Sequence, residues 1–476
     1  MAGKPIDANS QGQVNMTLVG AIVAVATIGG LLFGYDSGAV NGTQAGLRAA
    51  FALDDAGLGF TVGSLLMGCA IGAFLAGRLA DRFGRKRIMV AAAALFLFGA
   101  LAQGLTGSHL FFVIARICGG MAVGAASVLS PAYIAEVAPA AIRGRLTSVQ
   151  QVMIISGLTL AFVVNYVLAD VAGDSLGLIG GIPAWRWMYL AQAVPAVVFL
   201  VALQFIPESP RYLVSSGRVE EAGDVLTRLF GAEAAARKVA DIRASFATDH
   251  RPRFADVLAP KTGLRPVVWA GLIIALFQQF VGINVIFYYG ETLWKLAGVS
   301  EKAALERNIV SGLMSVAACF ITMALVDKVG RKPMLLVGSA GMTISLGAMS
   351  WAFSKGTLDA SGALQLSQSL GLIAVIAANI YVVFFNTSWG PVMWVMLGEM
   401  FPNQLRGSAL AVCGLAQWIA NYAVVQSFPA MASGLGLAPT YVLYTASAFI
   451  SFFLVRAFLP ETAGMELEDM EGWGGH

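Results

Sequence analysis

The chain is short of charge. Asp, Glu, Lys and Arg make up 12% of its 476 residues, against about 25% in an ordinary soluble domain, and so few charges cannot cover a water-facing surface. Histidine is scarcer: His109, His250 and His476 lie far apart and form no cluster that would hold zinc. The four cysteines, Cys69, Cys118, Cys319 and Cys413, each fall in an apolar stretch. There they read as small buried side chains rather than as disulfide partners or metal ligands. No Walker loop, kinase signature or H-E-x-x-H run occurs, so neither ATP hydrolysis nor zinc proteolysis is indicated, and no cofactor or metal is expected. The small net charge of +3 hides a strong asymmetry in where the charges sit, and nucleic acid is not indicated as a partner.

Long apolar runs are abundant: hydrophobic residues are 58% of the chain and mean hydropathy is +0.75. A membrane-spanning helix needs ~20 mostly apolar residues, because each rises ~1.5 Å through a hydrocarbon core of ~30 Å. Twelve such runs are expected. Six fall at roughly 16–40, 59–80, 88–107, 110–133, 147–170 and 187–206, and six at roughly 264–290, 309–326, 334–354, 367–398, 407–432 and 439–459. The first run is too long for a cleavable signal and has only Lys4 ahead of it, so it is expected to remain as a helix. The lipid bilayer is therefore the principal surrounding. Of the 30 Lys and Arg residues, Arg116 lies well inside a run, six (Arg48, Arg186, Lys295, Lys302, Arg307, Lys355) lie beyond the odd-numbered runs, and 23 remain for the other side. The positive-inside rule makes that other side cytoplasmic, with both termini there.

The two sets of six repeat each other. Asp81-Arg82-Phe83-Gly84-Arg85-Lys86 returns as Asp327-Lys328-Val329-Gly330-Arg331-Lys332, Glu136 with Arg143-Gly144 returns as Glu399 with Arg406-Gly407, and Pro207-Glu208-Ser209 returns as Pro460-Glu461-Thr462. Each match follows the equivalent run of its half, so the repeat is parallel, and the seam between two such halves is where transporters hold substrate. The expected division is a tail (1–15), a six-helix bundle (16–207), a cytoplasmic linker (208–262), a second six-helix bundle (263–460) and a tail (461–476). Within the linker, Val219, Ala222, Val225, Leu226 and Leu229 share one helical face, the pattern of an amphipathic helix under the bundle; the alternative is a disordered linker.

Ionisable groups inside a membrane cost about 2.5–3.5 kcal/mol on insertion scales and commonly mark function. Asp36 lies toward the outer end of the first run and Arg116 about two turns into the fourth, which brings them to similar depth. A carboxylate that alternates between an arginine and a proton is a coupling element; the alternative is a permanent ion pair. Polar amides gather in the second half: Gln278, Gln279 and Asn284 within about two turns of one helix, then Tyr288 and Tyr289. Trp389-Gly390-Pro391 and Trp394 follow in the tenth run, where Gly-Pro is expected to break the helix, and Gln417, Trp418 and Asn421 in the eleventh. Amides satisfy hydroxyls in both directions and rings cover C–H faces, which suits an uncharged polyhydroxylated ligand. Interhelical amide bonding and interfacial tryptophans are the competing reading of each alone. Gly68-x-x-x-Gly72 and Gly120-x-x-x-Gly124 mark close helix crossings.

These residues resemble the sugar porters of the major facilitator superfamily over about residues 16–465. The resemblance rests on Gly34-Tyr35-Asp36, Asp81 to Lys86, Pro207-Glu208-Ser209-Pro210-Arg211, the Gln-Gln-x-x-Gly-x-Asn run at 278–284 and Pro460-Glu461-Thr462. It implies an all-α membrane protein with twelve transmembrane helices in two six-helix halves and short cytoplasmic helices between them. It further implies that Gln278, Gln279, Asn284, Trp394 and Gln417 bind the sugar and that Tyr288, Tyr289 and Trp418 form or flank gates. Arg85, Glu136, Arg143, Asp327, Arg331, Glu399 and Arg406 would form a cytoplasmic charge network. Facilitative animal glucose carriers have Asn where this chain has Asp36, whereas bacterial proton symporters have Asp. Two positions depart from the pattern: Leu158 stands where many members have Gln, and Ser315 where an Asn would align.

The reading that follows is a proton-coupled symporter of a monosaccharide, hexose or pentose, which alternates access by rocking of the halves. It is expected in a bacterial inner membrane, working as a monomer. A sugar or polyol uniporter with a structural Asp36–Arg116 pair is the first alternative. A non-transporting sugar receptor is a second, though only about 16 residues follow Pro460-Glu461 where such receptors carry a long signalling extension. An enzyme is not expected, because the runs hold no Ser/His, paired-Asp or metal constellation.

Overall fold

A computed structural model describes residues 14–139, 142–248, 257–259, 263–358, 364–401 and 403–462. Among these, twelve segments are helical, long and apolar enough to cross a membrane. The first half contains α1 (Met16–Gly42), α2 (Asp55–Phe83), α3 (Arg85–Leu105), α4 (His109–Val137), α5 (Val149–Ala172) and α6 (Ala184–Phe205). The second contains α7 (Pro266–Leu296), α8 (Glu301–Val326), α9 (Arg331–Ser354), α10 (Gln368–Met400), α11 (Gly407–Gly434) and α12 (Leu437–Phe458). Several begin earlier than hydropathy places them, because their first turns are polar. Asp54 caps α2 by accepting from Gly57 N–H at 2.7 Å, and Ser300 caps α8 by accepting from Ala303 N–H at 3.4 Å. Such caps satisfy otherwise unpaired backbone donors.

Within the first half α2 packs along α4 and α1 along α5; in the second, α9 packs on α10 and α12, and α7 on α11. The halves meet where α2 lies beside α11 and α5 beside α8. The α2–α4 crossing is built on glycine: a Cβ at Gly68 would lie 2.1 Å from the Ile117 carbonyl oxygen, and one at Gly120 would lie 2.0 Å from that of Leu65. Backbones approach this closely only where side chains are absent.

Among the described residues three spans are broken: α6 is interrupted at Ala191–Gln192, between helices Ala184–Leu190 and Ala193–Ala202, and α7 and α10 break more sharply. In α7 a helix ends at Phe280, Gly282 adopts φ 82°, and a second helix runs over Ile283–Leu296. Gln278 and Gln279 therefore stand on one helical piece and Asn284 on the next, rather than on one helix. In α10 the break falls at Ser388 (φ −137°, ψ −89°), two residues ahead of the expected Gly390. Pro391 sits in the first turn of the following helix, Trp389–Met400, where a missing N–H leaves no intrahelical bond unmade.

On the face of the bundle that carries Met16 and Phe458, helices Pro210–Ser215, Val219–Phe230 and Ala232–Thr248 join the halves. The second of these buries Ala222, Leu226, Leu229 and Phe230 on one face, and the Leu229 carbonyl accepts from Asn15 N–H at 2.9 Å. Residues 1–13 and 463–476, most of both expected tails, lie outside the described residues.

Candidate functional site

Asp36 and Arg116 meet in the first half. Asp36 Oδ2 lies 3.8 Å from Arg116 Nη2, and the side chains are 1% and 0% exposed. The guanidinium spends its hydrogen bonds elsewhere: Nη1 donates to Gln103 Oε1 at 3.1 Å and Nη2 to the Val62 carbonyl at 3.2 Å. Its carbon stands 5.9 Å from the Tyr189 ring centroid. Asp36 Oδ2 accepts no hydrogen bond. That oxygen is thus compensated by the nearby guanidinium alone, in a place where a charge without hydrogen bonds is costly.

The amides of the second half form one connected chain. Gln278 Nε2 donates to the Trp389 and Gly390 carbonyls at 3.1 and 3.2 Å, at the start of the helix that follows the α10 break. Its Oε1 accepts from Gln279 Nε2 at 3.0 Å and from Gln417 Nε2 at 3.2 Å. Asn284 Nδ2 donates to Gln279 Oε1 at 2.7 Å and to Asn421 Oδ1 at 2.8 Å. Residues from both pieces of α7, from α10 and from α11 are joined in this way. Gln417 Oε1 is buried with no partner, an acceptor open to a hydroxyl.

Trp394 stands outside this chain and is 41% exposed, unlike its buried neighbours Met393 and Met396. Trp389, by contrast, is buried and donates Nε1 to the Leu335 carbonyl at 3.1 Å and to Ser339 Oγ at 3.0 Å, which anchors the start of its helix. Leu158 is packed against α1 at 2% exposure, and Ser315 Oγ donates to the Ser311 carbonyl of its own helix at 2.8 Å. Neither offers a free polar group.

On the face opposite the termini, α7 is fastened to the first half. Ser37 Oγ donates to Tyr288 Oη at 3.2 Å, while Tyr289 Oη donates within its own half to the Val425 carbonyl at 2.9 Å. The Trp418 ring lies 5.7 Å from that of Phe33. Two residues that the sequence reading missed complete the closure. Asn41 donates Nδ2 to the Phe287 carbonyl at 2.8 Å, and its Oδ1 accepts from Glu291 N–H at 3.1 Å and Asn308 Nδ2 at 2.7 Å. Gln44 bonds the Tyr288 carbonyl and the Thr292 hydroxyl.

The repeated charges form two matching clusters on the termini face. Arg85 pairs with Glu136 at 3.2 Å and with Asp81 at 2.9 Å; Arg331 pairs with Glu399 at 2.7 Å. Each of these pairs is made within one half. Ser209 Oγ donates to Glu136, and Thr462 Oγ1 donates to Glu399 at 2.7 Å. Glu208 and Glu461, visible in the sequence as a repeat without an assigned task, cap helices: Glu208 Oε1 accepts from Lys86 N–H at 3.0 Å, and Glu461 accepts from Arg331 and Lys332 N–H at 2.9 and 3.0 Å. A carboxylate there also complements the helix dipole. The side chains of Arg143, Asp327 and Arg406 lie outside the described residues.

Two six-helix halves, broken spans at their seam and an intramembrane acid–base pair define a polytopic transporter of the major facilitator fold. Residues 22–472 match the sequence profile of the family described as "Sugar (and other) transporter", and the chain belongs to that family, the sugar porters. It is 44% identical to the glucose transport protein of Synechocystis sp., over 98% of this chain and all of that protein. It is 37% identical to the D-xylose-proton symporter of Escherichia coli, over 96% of each. The structure of the E. coli xylose transporter in its inward open conformation superposes with TM-score 0.83 at 36% identity, covering 96% of this chain and all of that one.

Proposed function

We propose that this protein is a proton-coupled monosaccharide symporter working by alternating access. The observation that carries the coupling is Asp36, an ionisable group fully buried beside Arg116 with an oxygen that accepts no hydrogen bond. The ion pair compensates the anion, and a proton supplied from water neutralises it, so each state is tolerable and the two exchange. The amide chain of Gln278, Gln279, Asn284 and Gln417 is the sugar site in this reading, its open Gln417 acceptor taking a hydroxyl. Trp394 supplies an apolar face from the open side of its helix.

The face fastened by Asn41, Gln44 and Tyr288 is the outer gate, with Tyr289 and Trp418 flanking it, and the arrangement corresponds to an inward-facing state. The termini face is cytoplasmic, in keeping with the basic residues there and the positive-inside rule. Arg85, Glu136, Arg331 and Glu399, with Arg143, Asp327 and Arg406, belong to its charge network. Residues 16–207 and 263–460 are the two moving bundles, 208–262 their linker. The protein resides in a bacterial inner membrane and works as a monomer, with no catalytic step. Counterflow of a labelled sugar panel in proteoliposomes, with and without a proton gradient, tests the proposal. Gradient-driven accumulation of at least one monosaccharide is expected; exchange without accumulation would make the protein a uniporter.

A further inference from the structure

Outside the closed gate lies a cavity of about 340 Å³, lined by residues of both halves. Its walls include Arg48 and Asp55 from the first half, Glu291 and Lys295 from α7, and Phe428 and Ser433 from α11. The volume falls within the ~300–1,000 Å³ of small-molecule sites. The charges on its walls are balanced: Arg48 pairs with Asp55, and Lys295 Nζ lies 3.3 Å from Glu291 Oε1. Neither an anion nor a cation is favoured by such a lining. Glu291 itself is 1% exposed, and its Oε2 accepts no hydrogen bond. Glu291 lines the cavity with one carboxylate oxygen short of a donor and shielded from solvent, and a small turn of the side chain would present that oxygen to an occupant that can donate. Phe428 and Tyr289, tilted at 41° with centroids 5.1 Å apart, give the same cavity an aromatic wall suited to C–H faces.

We propose that this cavity is a second, weaker sugar subsite outside the gate, in which Glu291 Oε2 accepts a hydroxyl of a neutral monosaccharide. It rests on the sugar-transport reading, yet uses none of the amide chain. Occupancy places sugar directly against Tyr289, so that opening of the gate delivers it inward.

The test is equilibrium binding of radiolabelled D-glucose and D-xylose to the full-length protein in nanodiscs. The wild type is expected to show two components. Gln279→Ala should weaken the tighter one and leave the weaker unchanged. Ser433→Trp, which fills the cavity from the exposed rim of α11, should remove the weaker component alone. Glu291→Gln, which can place an amide NH2 where Oε2 would accept, should weaken that component about tenfold, the worth of one hydrogen bond. A wild-type isotherm saturating at one sugar per chain, or a weaker component unmoved by both Ser433→Trp and Glu291→Gln, overturns the subsite and leaves the transport reading standing. If neither sugar binds nor exchanges across a membrane, both readings fall.

Discussion

Asp36→Asn is expected to abolish uphill sugar accumulation while sparing exchange. At 3.8 Å and an effective dielectric of ~20, the attraction of Arg116 for an ionised Asp36 is about 4 kcal/mol. Burying the carboxylate costs several kcal/mol, and Oδ2 recovers none of it through a hydrogen bond. The two terms nearly cancel, which is the condition under which access of water decides whether the group holds a proton. Asn has the same shape and takes up no proton. One proton moving down a potential of ~100 mV releases about 2.3 kcal/mol, which supports an accumulation of about 50-fold. In proteoliposomes with an imposed potential, the wild type should approach that ratio for one proton per sugar, and Asp36→Asn should stay near unity while still exchanging labelled sugar. Accumulation by the variant equal to wild type would refute the coupling role and make the pair structural.

Three further outcomes are expected. Gln279→Ala should weaken sugar binding 5- to 150-fold, the ~1–3 kcal/mol of an amide hydrogen bond left unmade, whereas Leu372→Ala at an exposed position of α10 should not; calorimetric titration of both decides, and equal affinities would remove the amide site. Gly120→Val should lower the melting temperature sharply, because its Cβ would stand 2.0 Å from the Leu65 carbonyl oxygen and such overpacking costs ~1–3 kcal/mol or more. Gly20→Ala, with nothing within 4 Å of the new atom, should leave melting unchanged, and equal loss in both would refute the crossing argument. Glu136→Gln with Glu399→Gln should lower the melting temperature, because each acid holds an arginine and a helix start within its own half; melting equal to wild type would refute that holding role.

The spans were legible in the sequence because a hydrocarbon core imposes a length and a polarity that few other environments demand, and the duplicated charges showed where each half begins again. The breaks were less so. Gly390-Pro391 drew attention as the stronger helix breaker, yet the chain departs from helix at Ser388, since proline is tolerated in a first turn. At Gly282 the fracture needs φ 82°, which a glycine permits but does not announce. Asn41 and Gln44 carry no signal in the sequence, because a single amide at the end of an apolar run looks like any loop entry; only contact with α7, more than 240 positions away in sequence, gives it meaning. The Asp36–Arg116 approach followed from depth alone. The hydrogen bonds that divert Arg116 to Gln103 and Val62 depend on three-dimensional placement and had no signal in the residue pattern.

The broken spans leave the two halves mechanically unequal despite their shared ancestry in sequence. Gly282, Ser388 and the kink at Tyr289 all fall in α7 and α10, while their counterparts by repeat, Met16–Ala39 and His109–Val137, each run as one helix. α1 and α4 are therefore stiff beams, and their repeat partners α7 and α10 are jointed arms. Asp36 sits on the unbroken α1, and the amides straddle the joints of α7 and α10. In the proposed cycle the ligand would load the elbows while charge is exchanged on the anvil. A covalent staple across Gly282 should stall the cycle, whereas the same staple across the middle of α1 would lock only what is already straight.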